Sequence, residues 1–214
     1  MNSSVRIKQP VRKGLAACVM IRYTSPVNLY FCGLIGSGKT TIGKRIAELF
    51  SLPFYDIDQE IDRRVGYSFH RLVQEQGWVP YRETEYAICK DLARFARNAS
   101  AIVSMAGGTV RYEWNRDILS GTGPVILLEA SIPELARRVQ NAHRPRVNPG
   151  SASQEEDLRL LWEKHGHKYL AAADLRYQTE GKEIDRIVEE IAQLILRNPV
   201  FKEFRERLPE GASF

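Results

Sequence analysis

From Val27 onward, short apolar runs alternate with longer segments whose apolar residues recur every three or four positions. The runs "VNLYFC", "PFYDI", "AIVSMA", "PVILLEA" and, more weakly, "LRYQT" are of strand length. Between them, "TIGKRIAELF" sets Ile42, Ile46 and Leu49 at helical spacing. "YRETEYAICKDLARFAR", "IPELARRVQN" and "EEDLRLLWEKHG" also carry helical patterns. "EIDRIVEEIAQLILRN" gathers Ile184, Ile187, Val188, Ile191, Leu194 and Ile195 on one apolar face. Strands alternating with helices in this way predict an α/β fold, with a five-stranded, mostly parallel sheet flanked by helices. Asn198-Pro199 reads as a helix stop, and "PVFKEFRERLPEGASF" beyond it as a short mixed-charge helix with a frayed end. The expected organisation is a flexible basic extension over 1–26, a single domain over 27–197 and a C-terminal extension over 198–214.

Composition narrows this picture only a little. A chain of 214 residues, 43% of them hydrophobic, suits one compact core. No apolar run approaches the roughly 18 residues that a membrane-crossing helix requires. "LAAC" at Leu15 to Cys18 follows the polar, basic "RIKQPVRKG" rather than the apolar region of an export signal. Cys18, Cys32 and Cys89 are scattered and odd in number, which argues against a disulfide framework or a zinc site and fits a reducing cytoplasm. The formal net charge of +5 is matched by Arg6, Lys8, Arg12, Lys13 and Arg22 alone, so the remainder is formally neutral. A nucleic-acid partner is therefore not expected.

The chemistry starts at "GLIGSGKT", Gly33 to Thr40, which matches G-x-x-x-x-G-K-[ST] between a predicted strand and a predicted helix. In such a loop the backbone N–H groups of Gly36, Ser37 and Gly38 turn toward phosphate oxygens, aided by the helix N-terminus. Lys39 reaches the β- and γ-phosphates, and the hydroxyl of Thr40 ligates Mg²⁺. The expected ligands are ATP, held from Gly36 to Thr41, and Mg²⁺. Ligands of open α/β sheets gather at the carboxyl ends of strands. "FYDIDQEIDRR" places Asp56 and Asp58 at such an end, and a spacing of two in a strand would turn both the same way. Asp56 suits Mg²⁺ and Asp58 suits an attacking hydroxyl; either could instead cap the helix that begins near Gln59.

Taken together, "GLIGSGKTTIGKRIA", "YDID", "YRETE", "MAGGT" and "RRVQNAHRPRV" resemble the motifs of the shikimate kinases over about Asn28 to Leu196. The resemblance implies a P-loop NTPase-type sandwich with a mobile lid, catalysing ATP-dependent phosphorylation of shikimate to shikimate 3-phosphate. By the same resemblance, Asp58 holds the ring hydroxyls and Arg82 the carboxylate, while Gly107 and Gly108 back the substrate with main-chain N–H groups. Arg137 stacks on adenine, and Arg144 closes over the phosphates from the lid. Lys39, Asp58 and Arg144 form the implied catalytic set, with the small acid as acceptor and a monomeric cytoplasmic enzyme as the setting.

Each assignment has a plainer competitor in the residues themselves. A cation at the start of a helix opposes the helix dipole, so Arg82 suggests a nearby anion, although Glu83 or Glu85 could equally pair with it. Gly107-Gly108 suits close approach to a ligand or a simple turn. Arg144-Pro145-Arg146 lies in a polar stretch that reads as a loop, mobile or merely exposed. Two departures from the family also stand out. His165 occupies the place, four before Tyr169, where shikimate kinases have a second carboxylate-gripping arginine, and Ala106 replaces the first glycine of a three-glycine run. Imidazole is shorter than guanidinium and lacks its fork. Either Lys164 or Lys168 compensates, or the acceptor is another hydroxylated acid, amino acid or sugar acid. A third reading, a nucleotide-binding regulator using the basic tail or "FKEFRERL" to hold a partner, leaves the filled chemical positions unexplained.

Overall fold

The computed structural model describes residues 5–7, 27–140, 147–148 and 150–209. Its strands are β1 (Val5–Ile7), β2 (Leu29–Cys32), β3 (Phe54–Asp56), β4 (Ile102–Ser104), β5 (Val125–Glu129) and β6 (Leu175–Gln178). They form one sheet in the order β1-β6-β5-β2-β4-β3. The five strands from β2 to β6 pair in parallel, each where an apolar run predicts it. The short β1 joins the edge antiparallel to β6, with Arg6 opposite Arg176. Three residues of the expected N-terminal extension thus belong to the sheet. They add a sixth strand that a pattern search beginning at Val27 does not find.

Helices α1 (Lys39–Leu49), α2 (Ile57–Val65), α3 (Phe69–Gln76), α4 (Trp78–Phe95), α5 (Glu113–Leu119), α6 (Ile132–Val139), α7 (Gln154–Ala172), α8 (Ile184–Arg197) and α9 (Lys202–Arg205) complete the described chain. Side chains alternate across each strand. On β2, Leu29 and Phe31 face a core shared with α1 and α8, whereas Tyr30 and Cys32 face one shared with α2 to α7. Burial in this second core pushes the Cys32 thiol up to about 12, so it is an inert apolar group. Phe201 and Phe204 are completely or almost completely buried in the α1/α8 core. The described part of the C-terminal segment thus packs on α1 and α8, and "FKEFRERL" turns its aromatic side chains inward.

This topology fixes where a ligand can sit. After β2 the chain crosses to β3 and returns through β4 on one side, then reaches β5 on the other. The carboxyl end of β2 is thus a switch point, where flanking loops diverge and open a crevice. The loop 33–38, running into α1, occupies that place.

Candidate active site

A cleft of about 730 Å³ opens over the end of β2 and is lined by Gly36 to Thr41, Asp56, Asp58, Ser104, Gly107, Arg137 and Arg138, among others. The loop that forms its floor is glycine-dependent at Gly36, which has φ 82°, and whose Cβ would lie 2.9 Å from the carbonyl oxygen of Leu135. Lys39 folds back so that Nζ donates to the Leu34 carbonyl at 3.0 Å, at the mouth of the α1 N-terminus. The Ser37 Oγ is buried with no hydrogen-bond partner among the described residues. An orphaned hydroxyl in a loop of this shape fits a phosphate that supplies the missing contact.

Asp56 ends β3, and two contacts define its carboxylate. Oδ1 accepts from the Gln59 N–H at 3.3 Å, capping α2, while Oδ2 accepts from the Thr40 hydroxyl at 2.7 Å. The capping use and the cation-site use weighed from the sequence are therefore compatible. A carboxylate and a hydroxyl oxygen held together at the phosphate loop form a donor set that suits Mg²⁺, which takes few protein ligands and completes its shell with phosphate and water. The unpartnered, buried Ser104 hydroxyl on β4 also lines this cleft, in register with Asp56.

Asp58 reaches the cleft by a different route from the one its spacing suggests. The strand stops at Asp56, so Asp58 lies in the first turn of α2 rather than on the same strand face. The change of element occurs because Asp56 caps the helix immediately. Tyr81, buried on α4, donates from its hydroxyl to Asp58 Oδ1 at 2.7 Å and fixes the carboxylate's direction. Burial, then the Asp58 charge, pushes the Tyr81 phenol well above its ordinary range, so it remains a donor.

Beyond Asp58 a second, smaller cavity of about 70 Å³ is lined by Arg82, Arg111, Trp78, Gly107 and Gly108. Ile35, Asp58 and Gly107 line both spaces, which makes them adjoining compartments. Arg82 pairs with Glu85 at 2.7 Å, as the competing reading anticipated, yet it also lines the cavity. A guanidinium has enough N–H donors to do both. Its carbon lies 5.1, 4.6 and 4.6 Å from the ring centroids of Trp78, Tyr81 and Tyr112. Burial works against the charge, but Glu85 and the tyrosines more than offset it and raise the pKa further. Glu85 is fully buried and also accepts from Thr109 Oγ1 at 2.8 Å and Asn115 Nδ2 at 3.2 Å. A carboxylate this deep survives because each neighbour donates to it.

The glycine pair is positioned by contacts on both sides. The Gly107 carbonyl accepts from the Tyr169 hydroxyl, and a Cβ on Gly108 would lie 2.2 Å from Arg111 Nη2. The Arg111 guanidinium thus packs directly on the Gly108 backbone. Arg137 is exposed and bound through two nitrogens to Glu134 at 2.7 and 2.8 Å, at the rim of the large cleft. Arg144 lies outside the described residues. His165, on α7, lines neither compartment. Burial, followed by the charges of Arg111, Lys168, Lys164 and His167, lowers its pKa, so it is neutral at pH 7. Lys164 is exposed, and Lys168 donates to the Arg111 carbonyl at 2.9 Å, so neither takes the place of a second arginine in the cavity.

Sequence reasoning missed Arg111, Arg138 and Ser104 and assigned Glu85 only as a competitor. Arg138 donates to the Gly36 carbonyl at 3.3 Å, Thr179 Oγ1 at 3.0 Å and Glu134 at 2.7 Å, joining the phosphate loop to α6 and the end of β6. The available signal was its adjacency to Arg137 on a short helix with its polar face toward the loop. Arg111 had only its place, three residues beyond the glycine pair.

The arrangement matches known proteins closely. The model of the family "Shikimate kinase" matches residues 35–196. Shikimate kinase of Dictyoglomus turgidum is 32% identical over 166 residues, covering 78% of this chain and 95% of the relative. That of Persephonella marina is 33% identical over 165 residues, covering 77% and 96%. The structure of shikimate kinase from Acinetobacter baumannii in complex with shikimate superposes with a TM-score of 0.73 at 29% identity, covering 83% of this chain and 97% of that one. With the family model matching residues 35–196 and relatives above 30% identity spanning most of the chain, on a fold that superposes on such an enzyme, the findings lead to one assignment: the chain belongs to the shikimate kinase family.

Proposed function

We propose that the protein transfers the γ-phosphoryl group of ATP to a hydroxyl of shikimate, giving shikimate 3-phosphate. The observation that carries this reading is the junction of the two compartments, where Asp58 stands between a phosphate-binding loop and a cavity walled by arginine. ATP enters the larger cleft, with its phosphates along Gly36 to Thr41 and the adenine near Arg137. Thr40 and Asp56 are the residues that would hold Mg²⁺, which would supply charge neutralisation during phosphoryl transfer. Lys39 moves from the Leu34 carbonyl to the phosphates, adding charge where the transition state develops it. Asp58, oriented by Tyr81, accepts the proton of the attacking hydroxyl. Arg82 binds the acceptor's carboxylate, and the N–H groups of Gly107 and Gly108 border the ring. By the family resemblance, Arg144 is the residue assigned to the phosphates.

No described helix is long and apolar enough to cross a membrane. A monomeric cytoplasmic enzyme is the setting this reading adopts. A second reading, transfer to another hydroxylated acid, draws on His165, whose neutral ring lies outside the acceptor cavity. One experiment separates them: ADP release measured over a panel of hydroxylated acids, amino acids and sugar acids, with Lys39→Met as control. Shikimate gives the highest kcat/KM, and the control loses at least about a hundredfold while keeping its melting temperature. A panel member that outruns shikimate overturns the first reading, and near-normal turnover by the control overturns the phosphate-loop mechanism.

A further inference from the structure

Arg111 is only 8% exposed, and its Nε is buried without a hydrogen-bond partner. Its guanidinium has neither an ion pair nor a hydrogen bond among the described residues. The nearby Arg82, by contrast, is neutralised by Glu85 at 2.7 Å. Burying an uncompensated cation is costly, and a fold that retains one usually offers it an anion. Arg111 lines the same small cavity as Arg82, and the two guanidinium carbons lie 6.0 and 4.6 Å from the centroid of one ring, that of Tyr112.

Its position is built from below and behind. The guanidinium lies against Gly108, in space that a Cβ there would share with its Nη2 at 2.2 Å. The backbone carries a short 3-10 turn over Thr109–Arg111, and Lys168 Nζ donates to the Arg111 carbonyl at 2.9 Å from α7. These contacts aim the side chain at the cavity without satisfying its charge.

We propose that Arg111 is the second cation that grips the acceptor's carboxylate, opposite Arg82, in place of an arginine at the His165 position. This rests on the reading of the acceptor as a hydroxylated acid. Arg111 is therefore a specificity-determining residue: it selects for a carboxylate, while Asp58 addresses the hydroxyl. His165 takes no part in gripping the acid, and its proximity to Arg111 explains why a third cation is not placed there.

The test compares shikimate with its methyl ester, which keeps the ring and its hydroxyls but removes the charge. Steady-state kinetics of the wild type, Arg111→Gln and Arg111→Lys are measured with both acceptors at saturating ATP, with melting temperatures recorded alongside. Arg111→Gln raises the KM for shikimate roughly ten- to hundredfold. It changes the KM for the ester by less than about threefold and leaves the KM for ATP in place. Arg111→Lys, which keeps the charge but loses the fork, falls between Gln and wild type on shikimate. A shikimate KM unchanged in Arg111→Gln, or equal shifts for acid and ester, overturns the proposal, because a purely structural role moves both acceptors together. If the wild type prefers another hydroxylated acid, the shikimate reading fails separately. The same comparison of that acid with its ester then decides the role of Arg111.

Discussion

Glu85 shows how much one buried carboxylate can set. It fixes Arg82 from α4 while holding Thr109 and Asn115, so a single side chain fastens α4, the glycine-loop turn and α5 around the acceptor cavity. Glu85→Gln keeps the shape but leaves Arg82 uncompensated. It should destabilise the protein by about 3–5 kcal/mol in urea denaturation and raise the acceptor KM. His165 has a different signature. Its pKa is lowered below 6.5, first by burial and then by Arg111 and the lysines, so the fold favours the neutral ring. Above pH 6.5 both folded and unfolded chains hold it neutral, and it costs nothing. As pH falls through that value the unfolded chain takes up the proton first, so stability declines until the folded ring also titrates. Between pH 7.5 and 5.5, the urea midpoint of the wild type should therefore drop more than that of His165→Gln. Equal slopes would show that the ring is not held neutral.

At the scale of elements, the phosphate loop is anchored as well as shaped. Arg138 ties its Gly36 carbonyl to Thr179 and to Glu134 on α6, whose carboxyl is drawn down to about 2 by its bonds to Arg137 and Arg138. Arg138→Ala should raise the KM for ATP several-fold and leave the acceptor KM nearly unchanged, read from initial rates with each substrate varied in turn. The five parallel strands were legible because strand-length apolar runs ended at glycine or at polar turns. So were the helices with uninterrupted three- and four-residue spacing. Helix α2 was legible only as a start near Gln59, whose N–H donates to the capping Asp56. Helices α3 and α5 were not legible, since they are short and their stability comes from caps and packing: Ser68 caps α3, and α5 packs against α4. On the site side, the loop and Asp56 were legible as motifs. The joining of Glu85 to Thr109 and Asn115, and of Lys168 to Arg111, was not, because nothing local encodes a partner dozens of residues away.

For the molecule as a whole, the short segment after Asn198 packs onto the elements before it. Phe201 and Phe204 are 0% and 1% exposed in the core beneath α1 and α8, and Arg205 donates to the carbonyls of Ile195 and Asn198 at 2.8 and 2.6 Å. Phe204→Ala should cost about 3–5 kcal/mol of stability, measured by chemical denaturation, while kcat/KM at low temperature stays close to wild type. A large loss of activity without loss of stability would instead connect this end of the chain to catalysis.

The unequal anchoring of the two cavity arginines sets which mutations can change the acceptor. Arg82 is wired to a carboxylate that holds three elements together, so altering it disturbs the scaffold along with the site. Arg111 has no such debt among the described residues, because its guanidinium holds no carboxylate and no hydrogen bond. Retuning the pocket for a neutral or differently charged acceptor is therefore a one-residue step at 111, with the fold left standing, while the same step at 82 demands compensation at 85. The chain carries a scaffold-bound arginine beside an adjustable one, and acceptor preference can drift or be engineered through the second.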